Sequence, residues 1–239
     1  MTILSVVRDV CATVGVQMPT SVFGGIANNR TMQEMLSLAN EMAQRIAYDT
    51  RDWVGLRARA NLTGDGVAEG FSLPANYKRL MLTGNVWRST STLQPLRFIS
   101  DHDEWIRRRL SGQSDGAGEW IISGGAGGYP LIYIFPVLAL GETVAFYYID
   151  RNCVALTGGG YGDSFMADTD TFRLDERLLK LGMIWQWKAQ KGSPYAEDMG
   201  SYSDALANAM GHDQPAPILI DRRPISHHER VAYPWPLPS

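Results

Sequence analysis

Hydrophobic and polar positions change period along the chain, and the changes divide it into helical ends and a strand-rich middle. Ile3, Val6, Val7, Val10 and Val14 fall on one face of a helix over residues 3–14, with Gly15 as its stop. Thr31 with Glu34 three residues later has the form of a capping box. It opens a helix to about Thr50 whose face carries Met35, Leu38, Met42 and Ile46. The strongest helical signal lies in residues 172–195. There Leu174, Leu178, Leu181 and Trp185 recur at helical spacing, and Ile184 widens the stripe. Asp175 and Glu176 suit the positive end of its dipole, and Lys188 and Lys191 the negative end. Gly192 fits the left-handed stop. Ser193 and Pro194 then open a second helix over 194–210, with Tyr195, Met199, Tyr202, Leu206 and Ala209 at helical spacing.

From Trp53 onward the period is two. Strands are predicted over 57–62, 70–73, 79–87, 93–98, 119–123, 131–135 and 143–149, separated by glycine-rich turns. Pro95 places its strand at a sheet edge. Ser100 caps a short helix over 101–110 with Trp105 and Ile106 inward. Residues 150–171 read as a glycine-rich connection. Beyond Gly211 the chain is proline-rich and reads as an extended arm. The expected fold is therefore α+β. The N- and C-terminal helices (1–52 and 172–211) form an antiparallel bundle. A small antiparallel sandwich or barrel (53–171) is inserted into it, and an extended tail (212–239) follows.

Composition adds boundaries. A net charge of −3 over 239 residues gives no global basic field for nucleic acid. No apolar run approaches the ~20 residues of a membrane span, so no membrane partner is expected. Arg8 and Asp9 make the first segment an amphipathic helix and not a signal peptide. Two cysteines, Cys11 and Cys153, are too few for a disulfide framework and point to a reducing compartment. Cys11, on the apolar face of its helix, reads as a buried, inert thiol.

Candidate chemistry is sparse. His102, His227 and His228 lack metal-ligand spacing, and the glycine runs at 124–128 and 158–162 lack the lysine of a phosphate loop. No metal or cofactor is expected. Asp163, Asp168, Asp170 and Asp175 cluster near a loop. Paired carboxylates there would suit glycoside hydrolysis or a hard cation, but capping and surface roles account for them more simply. Arg107-Arg108-Arg109 reads as a solvated helix end, with contact to an acidic partner, DNA included, as the alternative. Trp185 and Trp187 point ~100° apart on one helix, so if the first faces the bundle the second faces a neighbour or the β domain. Trp235, between prolines, reads equally as an anchor in a partner's groove or as packing back on its own bundle. The candidate protein contacts are Trp187, Arg222, Arg223 and Trp235, with no catalytic residue assigned. The rival reading is a carbohydrate-binding or hydrolytic β domain lined by Trp87, Trp105, Trp120, Tyr133 and the aspartates.

Three segments give the chain a family likeness. They are the helix pair ending in Trp53-Val54-Gly55-Leu56, the step Phe71-Ser72-Leu73-Pro74-Ala75-Asn76-Tyr77-Lys78-Arg79 followed by Val86-Trp87-Arg88, and residues 168–172 running through Leu178-Leu179, Trp185-Gln186-Trp187-Lys188 and Lys191-Gly192-Ser193-Pro194-Tyr195. In order and spacing the chain resembles the head-to-tail adaptor, or tail-tubular-type, proteins of short-tailed bacteriophages. The resemblance implies a non-enzymatic virion protein, made in the host cytoplasm and built into the neck. It implies a ring, usually dodecameric, bound to the portal protein above and to tail or nozzle proteins below. Double-stranded DNA would pass through without sequence-specific contact. The tail beyond residue 211 has no counterpart in the resemblance.

Overall fold

The computed structural model describes residues 1–24, 29–114, 116–125 and 129–213. The proposed arm, with Arg222, Arg223 and Trp235, lies outside the described residues. The helices are α1 (Ile3–Val14), α2 (Arg30–Tyr48), α3 (His102–Ser111), α4 (Glu176–Gln190) and α5 (Ala196–His212). The strands are β1 (Arg57–Thr63), β2 (Gly70–Ser72), β3 (Tyr77–Leu80), β4 (Val86–Arg88), β5 (Ser91–Phe98), β6 (Glu119–Gly124), β7 (Pro130–Phe135), β8 (Thr143–Asp150), β9 (Val154–Ala155), β10 (Tyr161–Gly162) and β11 (Thr171–Phe172).

The expected architecture is corrected by the sheet. Instead of a helical bundle carrying a small antiparallel insert, the molecule is an α+β protein with a large, nearly closed mixed sheet. Its eight strands run β1-β8-β4-β5-β6-β7-β2, with β3 also paired to β8. The mixing comes from β5 and β6, which pair in parallel through Arg97 with Glu119 and Phe98 with Trp120. Parallel strands cannot be joined by a tight hairpin, and residues 99–118, containing α3, supply the crossover. Local patterning identifies α3 as a helix but carries no information on the direction of the pair it connects. Pro95 is likewise not at an edge. It lies inside β5, between β4 and β6, where the β4 register shifts and before the β6 pairing begins. The strand predicted over 79–87 is two strands, β3 and β4, laid end to end along β8.

Side-chain alternation sorts the sheet's two faces. Val144, Phe146 and Tyr148 of β8 point into an inner core with Ala60, Val86, Leu96, Trp120, Ile132, Ile134 and Leu138. Ile121 faces outward and is covered by Trp105 of α3 and by Ile99 in the link before it, with Tyr133 and Phe135 beside them. Ile149 at the end of β8 turns instead into a second core. That core joins α1, α2 and α4 to Trp53, Leu56, Cys153, Val154, Phe165 and Phe172. One strand therefore supplies both cores, each fully buried aliphatic or aromatic side chain contributing roughly 1.5–3 kcal/mol.

Helix α4 is the hub of the helical layer and packs on α1, α2 and α5. Gly182 permits the closest approach, since a Cβ there would lie 2.3 Å from Met42 Cε and 3.3 Å from Tyr202. Gly15 and Gly192 end α1 and α4 with φ of 74° and 68°, the left-handed region that glycine enters at little cost. The other caps differ from expectation. Asn29, not Thr31, caps α2, its side chain accepting from Thr31 N and Met32 N. Glu34 pairs with Arg30 and Lys191. Asp101, not Ser100, caps α3, and α5 begins at Ala196 with no side-chain cap. The connection expected over 150–171 contains strand pairing: β9 pairs with β10 and β11 in a small antiparallel sheet, and Thr2 bridges to Thr171.

Candidate functional site

The aspartates predicted as a cluster serve four separate backbone or ion-pair tasks. Asp175 caps α4 through Arg177 N. Asp168 accepts from Val22 N at 2.8 Å and Phe23 N at 3.2 Å, tying the loop after α1 to the segment before β11. Asp170, 1% exposed, accepts from the backbone N–H groups of Thr157, Met166 and Ala167. Burial opposes its charge, but these donors together hold its carboxyl below the ordinary range. Asp163 pairs with Arg151 at 3.1 Å in a half-exposed bridge. Among the described residues no group of three or more His, Cys, Asp or Glu side chains is placed to hold a metal ion.

The basic run at the end of α3 is largely used internally. Arg108 pairs with Glu104 and with the fully buried Glu119, and Arg109 pairs with Glu69. Arg107 is exposed. Both cysteines are free and buried, and burial pushes both thiols up, away from the reactive thiolate. In the turn leading into β8, Glu142 accepts from Arg88 Nε at 2.5 Å and Nη2 at 2.7 Å, from the Thr90 hydroxyl and from Ala139 N. The Arg88 hydrogen bonds outweigh the opposing effect of burial and hold its carboxyl at about 2. Arg88 also donates to the carbonyls of Pro136 and Val137, so the pair ties β4 to the turn between β7 and β8.

Parts of the three segments quoted for the resemblance lie at the junction of helices and sheet. Trp53 Nε1 donates to Ile46 O at 2.7 Å, ending α2. Asp52 pairs with Arg79 at 2.5 Å and accepts from Leu82 N. Asn76 O accepts from Arg151 N, and its side chain accepts from the Tyr148 hydroxyl, both at 2.8 Å. Arg173 closes the arrangement. It donates to Asp150 at 2.9 Å, to Asn152 O at 2.5 Å and to Gly55 O at 2.9 Å, and its guanidinium lies 4.2 Å from the centroid of Tyr161.

Trp187, assigned from sequence to an outside contact, is 6% exposed in the helical core, with Lys191 Nζ 4.6 Å from its ring centroid. Trp185 is the more accessible of the two, set against Tyr195, Tyr202 and Arg45. The two rings do diverge, but α1, α2 and α5 surround α4 on enough sides to bury Trp187. The carbohydrate-site residues do not converge either. Trp120 is inside the sheet and Trp105 lies under α3 with Tyr133 beside it, which leaves Trp87 on the open face.

Around Trp87 lies an open groove of about 440 Å³ that sequence reading did not assemble. Trp87 on β4 is opposite Ala145 on β8, and Tyr147, two residues on along β8, is opposite Arg59 on β1. Trp87 is 41% and Tyr147 52% exposed, and the small Ala145 leaves a slot between them. Met81 and Gly84 form a wall. The groove's titratable side chains are Arg59 and Tyr147, a set suited to holding apolar, aromatic or anionic groups. Period-two alternation places Arg59, Ala145 and Tyr147 opposite the inward residues, but that Trp87 lies beside them follows from the sheet order, which local patterning does not carry. Compared with known proteins, the chain matches no family model and no curated relative.

Proposed function

We propose that this chain is a structural adaptor subunit, forming a ring that joins a capsid portal to a tail and encloses the path of ejected DNA. The observation that carries the reading is the convergence of the resemblance. Residues far apart in sequence (Asp52, Trp53, Asn76, Arg79, Arg173) meet at one helix–sheet junction, where they tie the helical layer to the sheet. A subunit whose helices and sheet are tied together in this way suits a load-bearing ring.

The test is assembly. The purified protein is mixed with the portal protein of the same genome and followed by analytical ultracentrifugation and negative-stain electron microscopy. A stoichiometric complex with an added ring of density beneath the portal is expected. Failure to associate at micromolar concentrations, together with absence of the protein from purified particles by mass spectrometry, would overturn the reading. A monomer in isolation is compatible with it, because a template can drive ring formation.

A further inference from the structure

We propose that the groove between Trp87 and Tyr147 is the seat of this chain's own proline-rich segment, residues 231–238. The inference stands independently of the adaptor reading, and four observations support it.

The first is the groove's chemistry. Two aromatic rings flank the small Ala145 on a sheet face, with Met81 and Gly84 alongside. Flat aromatic walls separated by a shallow slot accept pyrrolidine rings, and an extended proline-rich strand enters such a slot with little conformational entropy left to lose. The second is the occupant. Tyr233-Pro234-Trp235-Pro236-Leu237-Pro238 alternates proline with large apolar residues.

The third is where the chain leaves. Asp213, at the end of α5, accepts from Val54 N at 3.1 Å and lies 3.5 Å from Arg51 Nε. Arg51 also donates to Met210 O. These contacts fix the departure point beside a second concavity lined by Arg57, Leu82, Met210 and others, which shares Met81 and Thr83 with the groove. From Asp213 to Tyr233 an extended chain spans up to about 60 Å at ~3.1 Å per residue. That length reaches the groove of the same molecule or of an adjacent copy. The fourth is charge. Arg59 bonds to Asn61 at 3.1 Å and has no carboxylate partner among the described residues. Glu229, four residues before Tyr233, supplies one.

Photocrosslinking of the full-length protein tests the proposal. Trp235 is replaced by p-benzoylphenylalanine, the protein is irradiated, and adducts are mapped by peptide mass spectrometry. Adducts within residues 81–87 or 143–147 are expected. Adducts confined to other surfaces, or none above the unirradiated control, would overturn it. Trp87→Ala and, separately, Tyr147→Ser should each lower the adduct yield about tenfold, as removal of an aromatic anchor does. Unchanged yield in both, with circular dichroism confirming the fold, would also overturn it. If one variant fails to fold, the other decides. Mixing isotopically heavy chains with light photoreactive chains separates the two sources of the segment. Adducts between a light and a heavy chain assign it to a neighbouring copy, and adducts within light chains that persist on dilution assign it to the same molecule.

Discussion

Two parts of β8 differ in how they treat polar groups. At its C-terminal end Ile149 enters the helical core, and Asp150, 5% exposed, is paired with Arg173 and accepts from Asn152 N. Nearer its middle Ala145 and Tyr147 lie open beside Trp87, and among the described residues Arg59 is held only by the Asn61 amide. The same strand thus supplies a saturated, buried junction and an unsaturated, exposed groove within a few residues. Stability is expected to concentrate at the first and contact chemistry at the second. The comparison also separates two kinds of candidate residue. A charged side chain with all its partners inside the molecule is part of the scaffold, whatever its position in a motif.

The largest expected effect comes from breaking the junction. Arg173→Met strands Asp150 as a buried carboxylate without its cation and should cost about 3–5 kcal/mol in urea unfolding. Adding Asp150→Asn should recover much of that loss, because the uncompensated charge and not the missing pair dominates the penalty. No recovery would mean that the bonds of Arg173 to Asn152 O and Gly55 O matter more than the ion pair.

The Arg88–Glu142 pair tests the same idea inside the sheet. Its carboxyl is depressed from an ordinary 4.5 to about 2. A group whose folded pKa is lowered contributes stability that is present above its unfolded value and lost as pH falls through the folded one. Here the window runs from about pH 5 down to about 2. Glu142→Gln should lose about 2–3 kcal/mol at neutral pH and show a flatter stability profile across that window. A variant profile as steep as that of the wild type would assign the acid sensitivity to other carboxylates.

A smaller effect separates two readings of one helix start. Asn29→Ala removes the side chain that caps α2 and should cost about 1 kcal/mol in thermal or urea unfolding, whereas Thr31→Ala should cost less than half of that. The reverse ranking would restore the capping box of Thr31 and Glu34.

These residues illustrate what was legible. The strands were readable because period-two alternation is local: β1, β6, β7 and β8 fall within two residues of their expected bounds. Gly15 and Gly192 were readable because a left-handed stop depends on one residue. The mixed sheet was not, because the parallel pairing of Arg97 with Glu119 depends on where a crossover sends the chain. Nor was the strand pairing within 150–171, where Asp170 organises the loop from a distance through three backbone donors. Trp187 misled because amphipathic reading allows a helix one buried face, while α4 is packed by three other helices. Trp87 was visible as an aromatic, but its partners Arg59 and Tyr147 became visible only once β8 was known to lie between β1 and β4.

The smallest expected effect sharpens the comparison at its exposed extreme. Leu93 is 93% exposed on β5, so its side chain buries almost nothing within the chain. Leu93→Ser should therefore shift the unfolding free energy by no more than about 0.5 kcal/mol at low micromolar concentration. The informative variable is concentration. If copies cover this position, the wild-type melting temperature rises with protein concentration while that of the variant does not, because association stabilises the folded state by mass action. If the position faces solvent throughout, the two curves stay parallel at every concentration. A variant markedly destabilised even at high dilution would fit neither case, and would mean that Leu93 packs within its own chain and that the open face of the sheet is smaller than described.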